Sequence, residues 1–128
     1  MMRSETLPIY IDTYHFIEQV FRCTVKFSRE YKFTIGTPLN EHVLTLGCLV
    51  VKAHRTSDRL PILDDFLTVS EKVRLQLRLS MDFHLLSYKQ YAALVQQMEQ
   101  IIKQAVTWQK SERRKLRENL SESETTQS

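Results

Sequence analysis

Arg74 and Arg78 sit one helical turn apart in the run Val73-Arg74-Leu75-Gln76-Leu77-Arg78-Leu79, the strongest candidate in this chain for binding chemistry. A guanidinium presents a planar fork of donors that matches phosphate oxygens or a carboxylate. Two of them on one flank can hold a phosphate backbone or a partner's acidic side chains. The same flank supplies local partners: Glu71 lies three residues before Arg74, and Asp82 four residues after Arg78. Pairs at those spacings form readily on a helix, so local pairing stands beside the binding reading. Arg22, Lys26 and Arg29 form a second row at near-helical spacing, with Glu18 and Glu30 placed to pair with the first two. A third cluster, Arg113-Arg114-Lys115 with Arg117, is a basic patch or half of a charge-balanced tail.

Nothing comparable points to catalysis. His15, His42, His54 and His84 show neither HxxxH nor HxH spacing, and no Glu-x-x-His pair of the kind that builds metal sites in helical bundles occurs. Cys23 and Cys48 are isolated within apolar helical patterns and read as buried thiols in a reducing compartment. No enzyme activity, metal or cofactor is expected. The net charge of +3 permits a nucleic acid or acidic partner without demanding one. No signal-peptide run opens the sequence, and no window approaches the roughly 18 apolar residues of a membrane span. A cytoplasmic protein with no membrane contact is the expectation.

The elements that position these cations read as four helices in one 128-residue domain. Residues 1–8 are expected to form a loose arm, 9–112 the bundle, and 113–128 a polar, disordered tail. The first helix is expected over 9–31, with Phe16, Val20, Cys23 and Phe27 on its inner face. Phe33-Thr34-Ile35-Gly36 should break the chain, and Thr37 and Pro38 should restart it as N-cap and first helical residue. The second helix, to about residue 53, is apolar well beyond the stripe Leu39, Val43, Leu46, Val50, which points to a subunit contact.

A third helix, capped by Ser57 or Asp58, carries the alternating run from Val73 to Phe83. Strict alternation suggests a strand. The helix-forming residue types and unbroken flanks argue instead for a helix with two apolar rows. One row is Val69, Val73, Leu77, Met81, Leu85; the other is Leu75, Leu79, Phe83. Such a helix can face its own bundle and a neighbouring subunit together. The capping box Ser87-Tyr88-Lys89-Gln90 then starts the fourth helix, whose stripe is Tyr91, Leu94, Met98, Ile101, Ala105, Trp108. The opposite face reads as Gln-rich and nearly uncharged. The fold class is therefore all-α, an up-down antiparallel four-helix bundle, assembled into an oligomer.

Three runs carry a resemblance: Asp58-Arg59-Leu60-Pro61-Ile62-Leu63, Val73-Arg74-Leu75-Gln76-Leu77-Arg78-Leu79, and Leu85-Leu86-Ser87-Tyr88-Lys89-Gln90-Tyr91. Their order and spacing resemble the accessory variability determinant (Avd) proteins of diversity-generating retroelements. The resemblance implies a pentameric ring of four-helix bundles without catalytic residues. It implies binding to the element's reverse transcriptase and to RNA or DNA in support of mutagenic retrohoming, with Arg74 and Arg78 on a functional basic surface. A sister group, encoded in intervening sequences of ribosomal-RNA genes, is similar in size and assembly. That group usually carries an IPxNIAEG-like run at the second helix, where this chain reads Leu46-Gly47-Cys48-Leu49-Val50-Val51-Lys52-Ala53.

Overall fold

The computed structural model describes residues 3–127. Among these, four long helices carry the fold and no strand occurs: α1 Pro8–Thr24, α2 Thr37–Arg55, α3 Leu60–Asp82 and α4 Tyr88–Gln127. The alternating run of α3 is thus helical. Each helix packs against two others, in the closed order α1, α2, α3, α4. Cross-links between neighbours fix an antiparallel arrangement. Thr24 donates to Asn40 Oδ1 at 2.9 Å where α1 ends and α2 begins. His42 Nδ1 lies 3.0 Å from Gln76 Oε1 between α2 and α3. Gln109 donates to Asp64 between α3 and α4, and Gln104 to Asp12 at 2.7 Å between α4 and α1.

The expected inner stripes of α2 and α4 are buried, apart from the half-exposed Tyr91 and Trp108 at the ends of the latter. On α1 the inner row is Ile9, Thr13, Phe16, Val20 and Thr24, and Cys23 is only half-buried beside it. Cys48 is exposed rather than buried, because it lies on the outer side of α2. On α3, Val73 and Leu77 are fully buried while Leu75 stays 63% exposed and Leu79 40%. The two-row pattern therefore separates into a core row and an uncovered row.

The N-terminal arm departs from expectation. Residues 1 and 2 lie outside the described residues, but Ser4–Thr6 forms a 3-10 turn with Ser4 buried, and α1 already begins at Pro8.

The corner between α1 and α2 departs further. α1 ends at Thr24, seven residues before the expected boundary. Thr24 bonds back to the Phe21 carbonyl and across to Asn40. Lys26 and Phe27 then close a tight turn on the carbonyls of Cys23 and Thr24, which returns the Phe27 ring to the core. The chain re-enters a helix at Arg29–Tyr31 and passes through a π-helical stretch, Lys32–Gly36, directly into α2. Thr37 is accordingly no N-cap. Pro38 has no N–H for the Thr34 carbonyl, so a regular α-pattern cannot run through it. The wider π-turn bypasses that gap, with the Thr37 N–H on the Lys32 carbonyl. Gly36 is buried here, and a Cβ on it would lie 3.4 Å from the Phe27 ring.

α3 starts at Leu60 with Arg59 as its cap, and neither Ser57 nor Asp58 caps it. Arg59 is occupied elsewhere. Its Nε donates to the Ala53 carbonyl at 2.8 Å, its Nη2 to the His54 carbonyl at 3.2 Å, and its Nη1 to Glu112 on α4 at 3.0 Å. One side chain closes the end of α2 and ties it to α4. α3 ends with His84 in the left-handed region, φ 60°, and the Leu85 N–H on the Ser80 carbonyl. The capping box of α4 forms as expected: Ser87 N–H to Gln90 Oε1 at 2.9 Å, and Gln90 N–H to Ser87 Oγ at 3.1 Å.

The polar tail departs most. Where disorder was expected from residue 113, α4 runs on as helix to Gln127. Residues 113–124 are exposed throughout. Residues 113–124 are mostly Arg, Lys, Glu and Leu, which are good helix formers, and they are added to a helix that the bundle has already nucleated.

Candidate functional site

The five candidate cations lie toward one end of the bundle, where α1 and α3 finish and α4 begins. Arg22 and Lys26 line a shallow groove between α1 and α4 together with Gln19, Gln90 and Gln97. Gln97 Oε1 is buried there without a partner among the described residues. Arg74 and Arg78 stand on α3, on the opposite flank of α4. Tyr31 stacks on Phe83 at 5.3 Å between ring centres and so fastens the α1–α2 corner to the end of α3. Arg29 begins the short turn after α1 and is not in line with Arg22 and Lys26.

The charges on the two flanks differ. Arg74 Nη2 meets Glu99 of α4 at 2.7 Å, and its Nη1 lies 3.7 Å from Glu71. Arg78 Nε donates to Asp82 at 3.2 Å. The charge of Asp82, then its hydrogen bond, and then Tyr91 push the Arg78 guanidinium above its ordinary range. Three carboxylates thus face two arginines, and this flank has no surplus positive charge.

On the α1 flank, Arg22 is 4.0 Å from Glu18. Lys26 and Arg29 form no ion pair among the described residues. The expected Lys26–Glu30 pair is lost because the helix ends between them. From residue 22 to 32 the chain carries Arg22, Lys26, Arg29 and Lys32 against Glu30 alone. Burial pushes the Cys23 thiol up, and Lys26 partly offsets this. The groove offers cations and amides, a set suited to phosphate oxygens and sugar hydroxyls. No group of three His, Cys, Asp or Glu side chains able to hold a metal gathers among the described residues. No helix there is long and apolar enough to cross a membrane.

The sequence reading missed Arg59 as an organising residue and Lys32 as a member of the α1 corner. Lys32 could have been found from the density of cations between 22 and 32. Arg59 gave no local signal, because its partners lie 53 residues away on Glu112 and at the end of α2.

These features define a four-helix bundle whose surface combines one cationic flank with uncovered apolar rows. The chain belongs to the bAvd-like family, whose model matches residues 9–112. No curated protein matches the chain.

Proposed function

We propose that this chain is a non-catalytic accessory protein of a diversity-generating retroelement. It assembles into a pentameric ring in the cytoplasm, binds the element's reverse transcriptase and its template RNA or cDNA, and supports mutagenic retrohoming. The observation that carries this reading is the family match across the whole bundle. The uncovered rows of α2 and α3 supply apolar surface for ring contacts, and the cations around the start of α4 supply a surface for phosphates. Arg74, Arg78, Arg22, Lys26 and Arg29 are the proposed contact residues. The α1 flank contributes the unpaired charge, while Arg74 and Arg78 contribute after exchanging Glu99 and Asp82 for a partner's groups.

The test is binding of the full chain to a reverse transcriptase of a diversity-generating retroelement and to RNA. Arg22→Glu/Lys26→Glu/Arg29→Glu should weaken binding at least about tenfold, with helix content unchanged. Arg74→Glu/Arg78→Glu should weaken it less. Unchanged affinity in both variants would remove these residues from the site. A second reading, a four-helix scaffold or RNA-binding protein of the ribosomal-RNA intervening-sequence type with no retroelement link, is favoured by the local pairing of Arg74 and Arg78. RNA binding without any affinity for the polymerase would establish it over the first.

A further inference from the structure

The outer face of α4, expected to be Gln-rich and nearly uncharged, instead carries a row of exposed cations that the sites above do not use. Lys89, Lys103, Lys110 and Arg117 recur at multiples of seven residues, and Arg113 and Arg114 flank the last of them. At about 100° per residue Lys89, Lys103, Lys110, Arg114 and Arg117 share the side opposite Leu94, Met98, Ile101 and Ala105, and Arg113 stands about a quarter-turn from the centre of that stripe, outside the row. All six are exposed. None forms an ion pair among the described residues.

The absence of pairing has a structural cause. Between residues 89 and 117, α4 has two carboxylates, Glu99 and Glu112. Each is held by an arginine from another segment, Glu99 by Arg74 at 2.7 Å and Glu112 by Arg59 at 3.0 Å. Lys115 shares Glu112 at 3.7 Å and is not part of the row. The bundle thus withdraws the acidic groups of α4 and leaves its outer cations unopposed. A helix rises about 1.5 Å per residue, so the row is about 42 Å long. Its last two members, Arg114 and Arg117, lie beyond residue 112, where the family match ends.

The geometry points to a phosphate-backbone track along the outer face of α4, extended past the bundle by Arg114 and Arg117, which takes the backbone of a nucleic-acid duplex. This rests on the nucleic-acid part of the proposed function and moves its main contact away from Arg74 and Arg78. A duplex presents about one charge per 1.7 Å of axis, so a length of about 42 Å carries about 25 phosphates, and a row of that length crosses its winding strands. Between the cations stand the exposed Ala92, Ala93, Gln96, Glu99, Gln100 and Thr107, with Glu99 held by Arg74 and no aromatic or large aliphatic group among them. A protein partner needs such anchors, and a membrane-surface helix needs an apolar face beside its cations. The exposed Leu116 and Leu120 sit at the far end of α4, Leu120 beside Arg117, and form no continuous apolar face along the row. The row stops at Arg117, after which Glu118, Glu122 and Glu124 reverse the sign.

The experiment compares the full chain with Lys103→Gln/Lys110→Gln/Arg114→Gln/Arg117→Gln, which keeps helix propensity and alters only exposed side chains. Affinity for RNA and DNA duplexes of about 20 base pairs, the DNA about 68 Å long at 3.4 Å per pair, is measured against salt concentration. The slope of log K against log salt should fall by about 3 to 4, and affinity at low salt by about a hundredfold. A second variant, Glu118→Gln/Glu122→Gln/Glu124→Gln, should bind more tightly.

An unchanged slope in the first variant, with binding lost instead in the α1-flank variant, would overturn the track and leave the nucleic-acid reading standing. A native chain that binds neither duplex at low salt would overturn both. Nucleic-acid affinity kept while polymerase binding is lost would make the row a protein-docking surface. Stripe-dependent capture by phosphatidylserine vesicles, with no effect on duplex binding, would make it a membrane contact. Either result would overturn the track.

Discussion

Arg59 shows how much one side chain can decide. It makes three hydrogen bonds that no neighbour could replace: two to the last carbonyls of α2 and one to Glu112, whose side chain is only 11% exposed. Its guanidinium also lies 5.8 Å from the centre of the Trp108 ring. Removing it leaves two helix-end carbonyls and a mostly buried carboxylate short of a donor, with Lys115 as the remaining cation. Arg59→Met should therefore cost about 2 kcal/mol, the scale of hydrogen bonds to charged groups. The expected readout is a lower urea midpoint with an unchanged slope. Adding Glu112→Leu should recover part of the loss, because it removes the orphaned carboxylate as well. A midpoint equal to the native chain's would show that water satisfies these groups and that Arg59 is not a clasp. Arg74 and Arg78 show the converse. Spacing from Glu71 and Asp82 made their local partners legible in the sequence. The shortest contact of Arg74, to Glu99, joins two helices and could not be read from spacing within one.

At the scale of elements, what the sequence revealed depended on whether the signal was local. The four helices, the α4 capping box and the split of α3 into two rows could be read from periodicity and cap residues. The α1–α2 corner could not. Its course is set by Thr24 reaching Asn40 and by Phe27 returning to the core over Gly36, and the stripe Phe16, Val20, Phe27 looks continuous despite the break. Of the candidate site, the residue types were legible, but the division of charge between the flanks was not. That division follows from where α1 ends and from which carboxylates α4 gives up.

The uncovered row of α3 can be tested directly. Leu75 and Leu79 are 63% and 40% exposed and support little of the single chain's core. Leu75→Gln/Leu79→Gln should change the stability of the isolated bundle by less than about 0.5 kcal/mol. If this row is covered by a neighbouring copy, the same variant should reduce the native mass. A variant that keeps the native mass would assign the subunit contact to another face. The remaining candidate is the groove of Tyr14, Ile17, Leu44, Gly47 and Cys48 between α1 and α2.

At the scale of the whole molecule, the proposed assembly and the proposed nucleic-acid binding should depend on salt in opposite ways, and this separates them in one experiment. A ring closed by Leu75, Leu79, Tyr14 and Leu44 is held by apolar burial, which salt does not weaken. Each chain of 15.2 kDa carries +3, so five copies make about 76 kDa with about +15. Like charges on adjacent subunits repel most at low salt, so screening should leave the ring intact or tighten it. Phosphate contacts behave differently, because each releases counterions and loses affinity as salt rises. Light scattering at about 0.05 M and about 0.5 M salt should therefore give the same mass, near five chains. Duplex binding measured on the same samples should fall by several powers of ten. If the mass drops with salt, charge pairs rather than apolar rows hold the subunits, and the uncovered faces of α2 and α3 need another occupant. If the protein is a monomer at both concentrations, the +3 of a single chain must attract the nucleic acid alone. The unpaired row on α4 would then be the one surface long enough to do so.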